Sequence, residues 1–128
     1  MVNASSNGSA KPRVLVIALD GATYDLLEPW MEQGHLPNLK KLYDSGVHGP
    51  LESVWPPLTA PAWSSFMTGK NPANHGLMEF FTPNRQTYKQ DLNSSKDIDG
   101  RTIWRILSDN GRSVGVLSIP MTWPPEKV

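Results

Sequence analysis

Cysteine is absent from the 128 residues, which excludes disulfides and thiolate metal sites alike. That absence is compatible with a reducing compartment, and the cytoplasm is the default expectation. A surplus of either charge is also missing. Lys and Arg together number 12, as do Asp and Glu, so the formal net charge is zero. This balance gives no electrostatic reason to expect nucleic acid or an anionic membrane as a partner. Long apolar runs are missing too: the longest, Val14 to Leu19, falls far short of the roughly 20 residues a bilayer requires. The opening MVNASSNGSA lacks the apolar core of a secretory signal. Residues 1–12 are therefore expected to be a disordered tail, and residues 13–128 to belong to a single domain. Asn3-Ala4-Ser5 and Asn7-Gly8-Ser9 match the glycosylation sequon and, without a signal peptide, are read as chance.

What is present is 38% apolar residues, enough for a core, punctuated by 12 prolines and 10 glycines. Val14 to Leu19 is a continuous β-branched and apolar run, the pattern of a strand buried on both faces of a parallel sheet. Thr23 to Gln33 carries Leu26, Leu27, Trp30 and Met31 at helical spacing and is closed by Gly34. Pro37 opens a second helix that Gly46 ends. Val47 to Val54 reads as a second strand, and Pro61 suits the first turn of a helix running to about Met67. Residues 69–99 are polar and without period, hence loop. Thr102 to Asp109 reads as a helix with Ile103, Ile106 and Leu107 inward, and Val114 to Ile119 as a third buried strand. The alternation predicts an α/β fold with a mostly parallel sheet flanked by helices. Three such strands, with the chain stopping just past the last, describe an incomplete sheet.

In α/β sheets the chemistry collects at the carboxyl ends of strands. Asp20 follows the first strand and precedes Gly21. Its carboxylate is a hard oxygen ligand suited to a divalent cation, although the same position suits a turn or helix cap. Thr59 precedes Pro61, which places its hydroxyl near a helix N-terminus, where backbone amides and the helix dipole favour an alkoxide or a phosphate. Capping alone would explain a threonine there as well. His35, His48 and His75 show no metal-ligand spacing. His75, before Gly76, is read as ordering its loop. The five tryptophans are read as packing residues, and Arg85 and Lys89 as solvated loop cations.

Several segments occur in a telling order: Val16-Ile17-Ala18-Leu19-Asp20-Gly21, Leu36-Pro37-Asn38-Leu39, Pro57-Leu58-Thr59-Ala60-Pro61-Ala62-Trp63 and Thr68-Gly69-Lys70-Asn71-Pro72-Ala73-Asn74-His75-Gly76. Gly100 to Leu107 and Ser118 to Pro125 continue the pattern. Together they resemble the start of type I phosphodiesterase/nucleotide pyrophosphatase-like proteins of the alkaline phosphatase superfamily. Within it they are most similar to the prokaryotic branch described as predicted phosphohydrolases or phosphomutases. The resemblance spans about Arg13 to the end. It implies an incomplete alkaline-phosphatase-like core, the N-terminal portion of a phosphohydrolase catalytic domain. It further implies Asp20 as a metal ligand and Thr59 as both metal ligand and nucleophile, phosphorylated during turnover. Two divalent cations, zinc or in mutase-like relatives manganese, and a small-molecule phosphate ester as substrate belong to the same expectation. Two departures stand out. Phe80 lies near the place where the nucleotide pyrophosphatases carry a phosphate-binding asparagine, which weighs against nucleotide specificity. The family's remaining ligands, aspartates and histidines, come from much later in the chain than Val128, so this segment is expected to be inactive alone. The competing expectation is a non-catalytic binding or assembly module that uses an exposed sheet edge; the oligomeric state is left open.

Overall fold

The computed structural model describes residues 13–128; the expected tail at residues 1–12, with its two sequons, lies outside the described residues. The chain divides into two compact units, the first ending at His48 and the second running from Gly49 to Val128.

In the first unit the segment from Val14 to Leu19 leads into a turn at Asp20-Gly21. Gly21 has φ +68, a left-handed conformation that a side chain would oppose. Helix α1, Tyr24–Glu32, follows with Thr23 as its extended N-cap. Its end is set by backbone chemistry: His35 N–H donates to the Trp30 carbonyl at 2.9 Å and Gly34 N–H to the Met31 carbonyl at 3.1 Å. With Gly34 at φ +80, this is a Schellman closure. Helix α2, Pro37–Ser45, starts on its proline. The two helices meet through Tyr43, whose hydroxyl donates to Glu28 at 2.8 Å and whose ring meets Tyr24 edge-on at 6.2 Å. The carboxylate beside it pushes the Tyr43 phenol up to about 12. Met31 is the buried apolar residue here, 4% exposed.

The second unit is built around α3, Thr59–Thr68. Ala60, Pro61, Ser64 and Met67 are its buried face, positions one turn or so apart along one side of a helix. Against α3 pack α4, Pro72–His75, and α5, Ile103–Asp109. Asn71 caps α4 by accepting the Asn74 amide at 3.0 Å, and Thr102 caps α5 by accepting the Arg105 amide at 3.2 Å. Between them, β1 (Phe81–Pro83) and β2 (Gln90–Leu92) pair antiparallel, Phe81 opposite Leu92. A single 3-10 turn, Ser95–Asp97, carries a capping box in which Ser94 and Asp97 satisfy each other's ends. Those bonds from Ser94 hold the Asp97 carboxyl below its ordinary value.

The expected parallel sheet is not formed among the described residues. Their one sheet is the antiparallel pair β1–β2, and it falls in the stretch expected to be loop. No strand is assigned at residues 14–19, 47–54 or 114–119. Val14, Leu15 and Ile17 are 85%, 83% and 75% exposed, and Leu51 and Leu117 are similarly open. The physical reason is that a strand of this kind is stable only when neighbours take its N–H and C=O groups and both faces are covered. No described strand does so. A second correction concerns α5: Ile103, Ile106 and Leu107 lie 40–50% exposed, and Trp104, at 6%, is the residue the helix buries.

Candidate active site

Asp20 belongs to the first unit and Thr59 to the second, so each is placed within its own surroundings. Asp20 is exposed in the turn before α1. It does not occupy the cap of that helix, since Thr23 does. Thr59 is the first residue of α3 and is half-buried. The cap is Leu58, in extended conformation at φ −115 and ψ 155. Thr59 is therefore one step past the position a capping threonine takes. The first hydrogen bond between Leu58 and the helix comes from the Ala62 amide at 3.1 Å; Pro61 has no amide proton to give. The amides of the opening residues, with no carbonyl four back inside the helix, create positive potential at this end.

Behind Thr59 the helix is anchored by a histidine whose depth sequence reasoning missed. His75 has no exposed surface. The Leu77 amide donates to its Nδ1 at 3.2 Å, so Nδ1 carries no proton. Nε2 therefore bears the hydrogen and donates to Ser65 Oγ at 3.0 Å. Burial, reinforced by the Lys70 charge, holds the imidazole below its ordinary 6.5. A neutral ring in this tautomer cannot take a proton from Ser65, so the pair is a structural hydrogen bond and no nucleophile–base dyad. The sequence carried a signal for the turn that holds it, though not for its depth. Asn71-Pro72 followed by His75-Gly76 is cap, first helical residue and left-handed exit compressed into a single turn.

Arg85 and Lys89 are exposed in the connection between β1 and β2. Trp63 meets Phe66 edge-on at 5.8 Å, which fits a packing residue, whereas Trp55 and Trp123, 85% and 79% exposed, do not pack. His48 stacks on Tyr43 at 3.6 Å. As cation ligands, the Asp20 carboxylate and the Thr59 hydroxyl are right in kind, both being hard oxygen donors. They are too few: the described residues hold no group of three or more His, Asp or Glu able to grip a metal ion.

Comparison with known proteins gives this arrangement a context. The chain is 32% identical over 122 residues to an uncharacterized pyrophosphatase/phosphodiesterase of Schizosaccharomyces pombe, a match covering 90% of this chain and 24% of the relative. It is 30% identical over 121 residues to the bovine (Bos taurus) ectonucleotide pyrophosphatase/phosphodiesterase family member 3, covering 85% of this chain and 13% of that protein. The fold is similar to the crystal structure of phosphonoacetate hydrolase from Sinorhizobium meliloti in complex with phosphonoacetate. There the TM-score is 0.61 and the identity 27%, across 72% of this chain and 22% of the hydrolase. The family profile described as type I phosphodiesterase / nucleotide pyrophosphatase matches residues 14–128. The chain belongs to that family.

Proposed function

We propose that this chain forms part of the catalytic domain of a longer, metal-dependent phosphohydrolase, in which Thr59 is the nucleophile and Asp20 a metal ligand. The observation that carries the reading is Thr59 itself: a hydroxyl at the first position of a helix buried along one face, outside the cap, within the matched stretch of a phosphodiesterase family. The parallel α/β sheet expected from residues 14–19, 47–54 and 114–119 belongs to this longer domain. So do the ligands that Asp20 and Thr59 lack.

The chemistry asked of Thr59 is a displacement at phosphorus. Its Oγ loses a proton and attacks; the ester P–O bond breaks and the alcohol leaves, which gives a phosphothreonine. Water then attacks the same phosphorus, inorganic phosphate or a monoester departs, and the hydroxyl is restored. The dipole of α3 favours the alkoxide and the phosphoryl oxygens at this position. Bound divalent cations, zinc or manganese, would supply Lewis-acid stabilisation and a lower hydroxyl pKa. The substrate is a small phosphate ester; the sequence relatives are named for phosphodiesters and pyrophosphates, the solved neighbour for phosphonoacetate.

The test is turnover by the full-length protein with Zn²⁺ or Mn²⁺ on nitrophenyl phosphate mono- and diesters, with phosphonoacetate alongside. Thr59→Ala is expected to lower kcat by about a thousandfold or more, and wild-type turnover in that variant would remove Thr59 from the mechanism. The assembly-module reading draws on the exposed Val14, Leu15 and Ile17. Sedimentation of the 128-residue chain as a clean monomer would count against it.

A further inference from the structure

The buried ring of His75 reaches α3 by one hydrogen bond: its Nε2–H donates to Ser65 Oγ at 3.0 Å, six residues along the helix from Thr59. On its other side the ring accepts the Leu77 amide at 3.2 Å, and the His75 carbonyl accepts the Asp99 amide at 2.9 Å. His75 therefore ties α4, the Leu77 segment and, through its own carbonyl, the loop at Asp99 to the second turn of the helix that carries Thr59. We infer that His75 is a positioning residue, which anchors α3 through Ser65 and so sets the pose of the Thr59 hydroxyl at the start of that helix.

The inference rests on the assignment of Thr59 as nucleophile. In-line attack tolerates little misplacement, and an error of about 1 Å costs up to about a hundredfold in rate. At this end of α3 the cap, Leu58, makes no side-chain bond to the helix, and Pro61 lacks an amide. The ring's tautomer is equally constrained. Leu77 demands an acceptor at Nδ1, so a donor at Nε2 is the only form that satisfies both neighbours.

Three variants of the full-length protein separate positioning from general stability. Ser65→Ala deletes only the acceptor, at a half-buried position. His75→Asn retains an acceptor within reach of the Leu77 amide but is too short for Ser65. His75→Gln places an amide donor near the lost Nε2. We expect Ser65→Ala to lower kcat about three- to tenfold and His75→Asn at least tenfold, with KM within about twofold, while His75→Gln recovers most of the rate. Each is read on protein shown folded by its unfolding midpoint. Ser65→Ala decides the matter if His75→Asn does not fold. Wild-type kcat in folded Ser65→Ala would overturn the proposal, as would losses that simply track the unfolded fraction. Thr59→Ala is run in parallel: full activity there would sink the nucleophile assignment, whereas a dead Thr59→Ala beside a fully active Ser65→Ala would sink the positioning role alone.

Discussion

His75 couples the second unit to pH with a definite sign. Its folded-state pKa lies below the 6.5 of an ordinary imidazole, chiefly through burial. As pH falls, the unfolded chain is protonated first. The contribution is therefore fully present above about pH 6.5 and is lost as pH drops below that value toward the folded-state pKa. Asp97, held below its usual 3.8 by Ser94, acts in a lower window and does not mask this. Urea midpoints should decrease between about pH 7.5 and 5.5, and His75→Gln should flatten the profile; a midpoint that rises on acidification contradicts the assignment. Ser64, on the neighbouring turn, poses the opposite problem. It has no exposed surface, and its Oγ has no hydrogen-bond partner among the described residues. A buried hydroxyl that gives up water without replacement is a net cost. Ser64→Ala should raise stability by about 1 kcal/mol, and a loss of that size would mean that an unseen partner satisfies the hydroxyl.

At the scale of elements, what was legible in the sequence follows from how local each hydrogen-bond pattern is. The helices at Tyr24–Glu32, Pro37–Ser45, Thr59–Thr68 and Ile103–Asp109 lie where apolar spacing, prolines and glycines placed them, because a helix bonds within its own segment. Thr102 and Gly34 show the devices at work and can be tested. Thr102→Ala removes the acceptor of the Arg105 amide and should cost about 1 kcal/mol. Gly34→Ala puts a side chain at φ +80 and should cost about as much; a neutral effect in chemical denaturation would show that α1 does not depend on this exit. Strands are bonded elsewhere. The runs at 14–19 and 114–119 have the composition of buried strands, but composition does not supply a neighbour. The hairpin at 81–92 was illegible for a converse reason: its short strands carry exposed residues on both faces, so no alternation marks them. The candidate site divides the same way. The turn at Asp20 and the helix start at Thr59, on which the proposed assignments rest, are local features legible in the sequence. The depth of His75 depends on α3, α4 and Leu77 converging, which no local pattern records.

For the molecule as a whole, the governing quantity is the number of ligands a cation can find. The family match takes in residues 14–128, yet the same chain spans 24% of the yeast relative and 13% of the bovine one. A divalent ion in a protein site is held by four to six donors, each already deprotonated and fixed. On the proposed assignment Asp20 would supply one carboxylate, from an exposed turn where water competes for the ion. Thr59 would supply a hydroxyl, a poor ligand until it loses its proton. Two such donors cannot offset the dehydration of Zn²⁺ or Mn²⁺, so titration calorimetry of the 128-residue chain should show weak binding, with half-saturation above about 10 µM, and no catalytic turnover. Full-length protein should bind two ions far more tightly, and Asp20→Asn should weaken one of them by about ten- to a hundredfold. Tight binding of two ions by the short chain would mean that the donors lie elsewhere in it, and the assignment of Asp20 would fall with the ligand count.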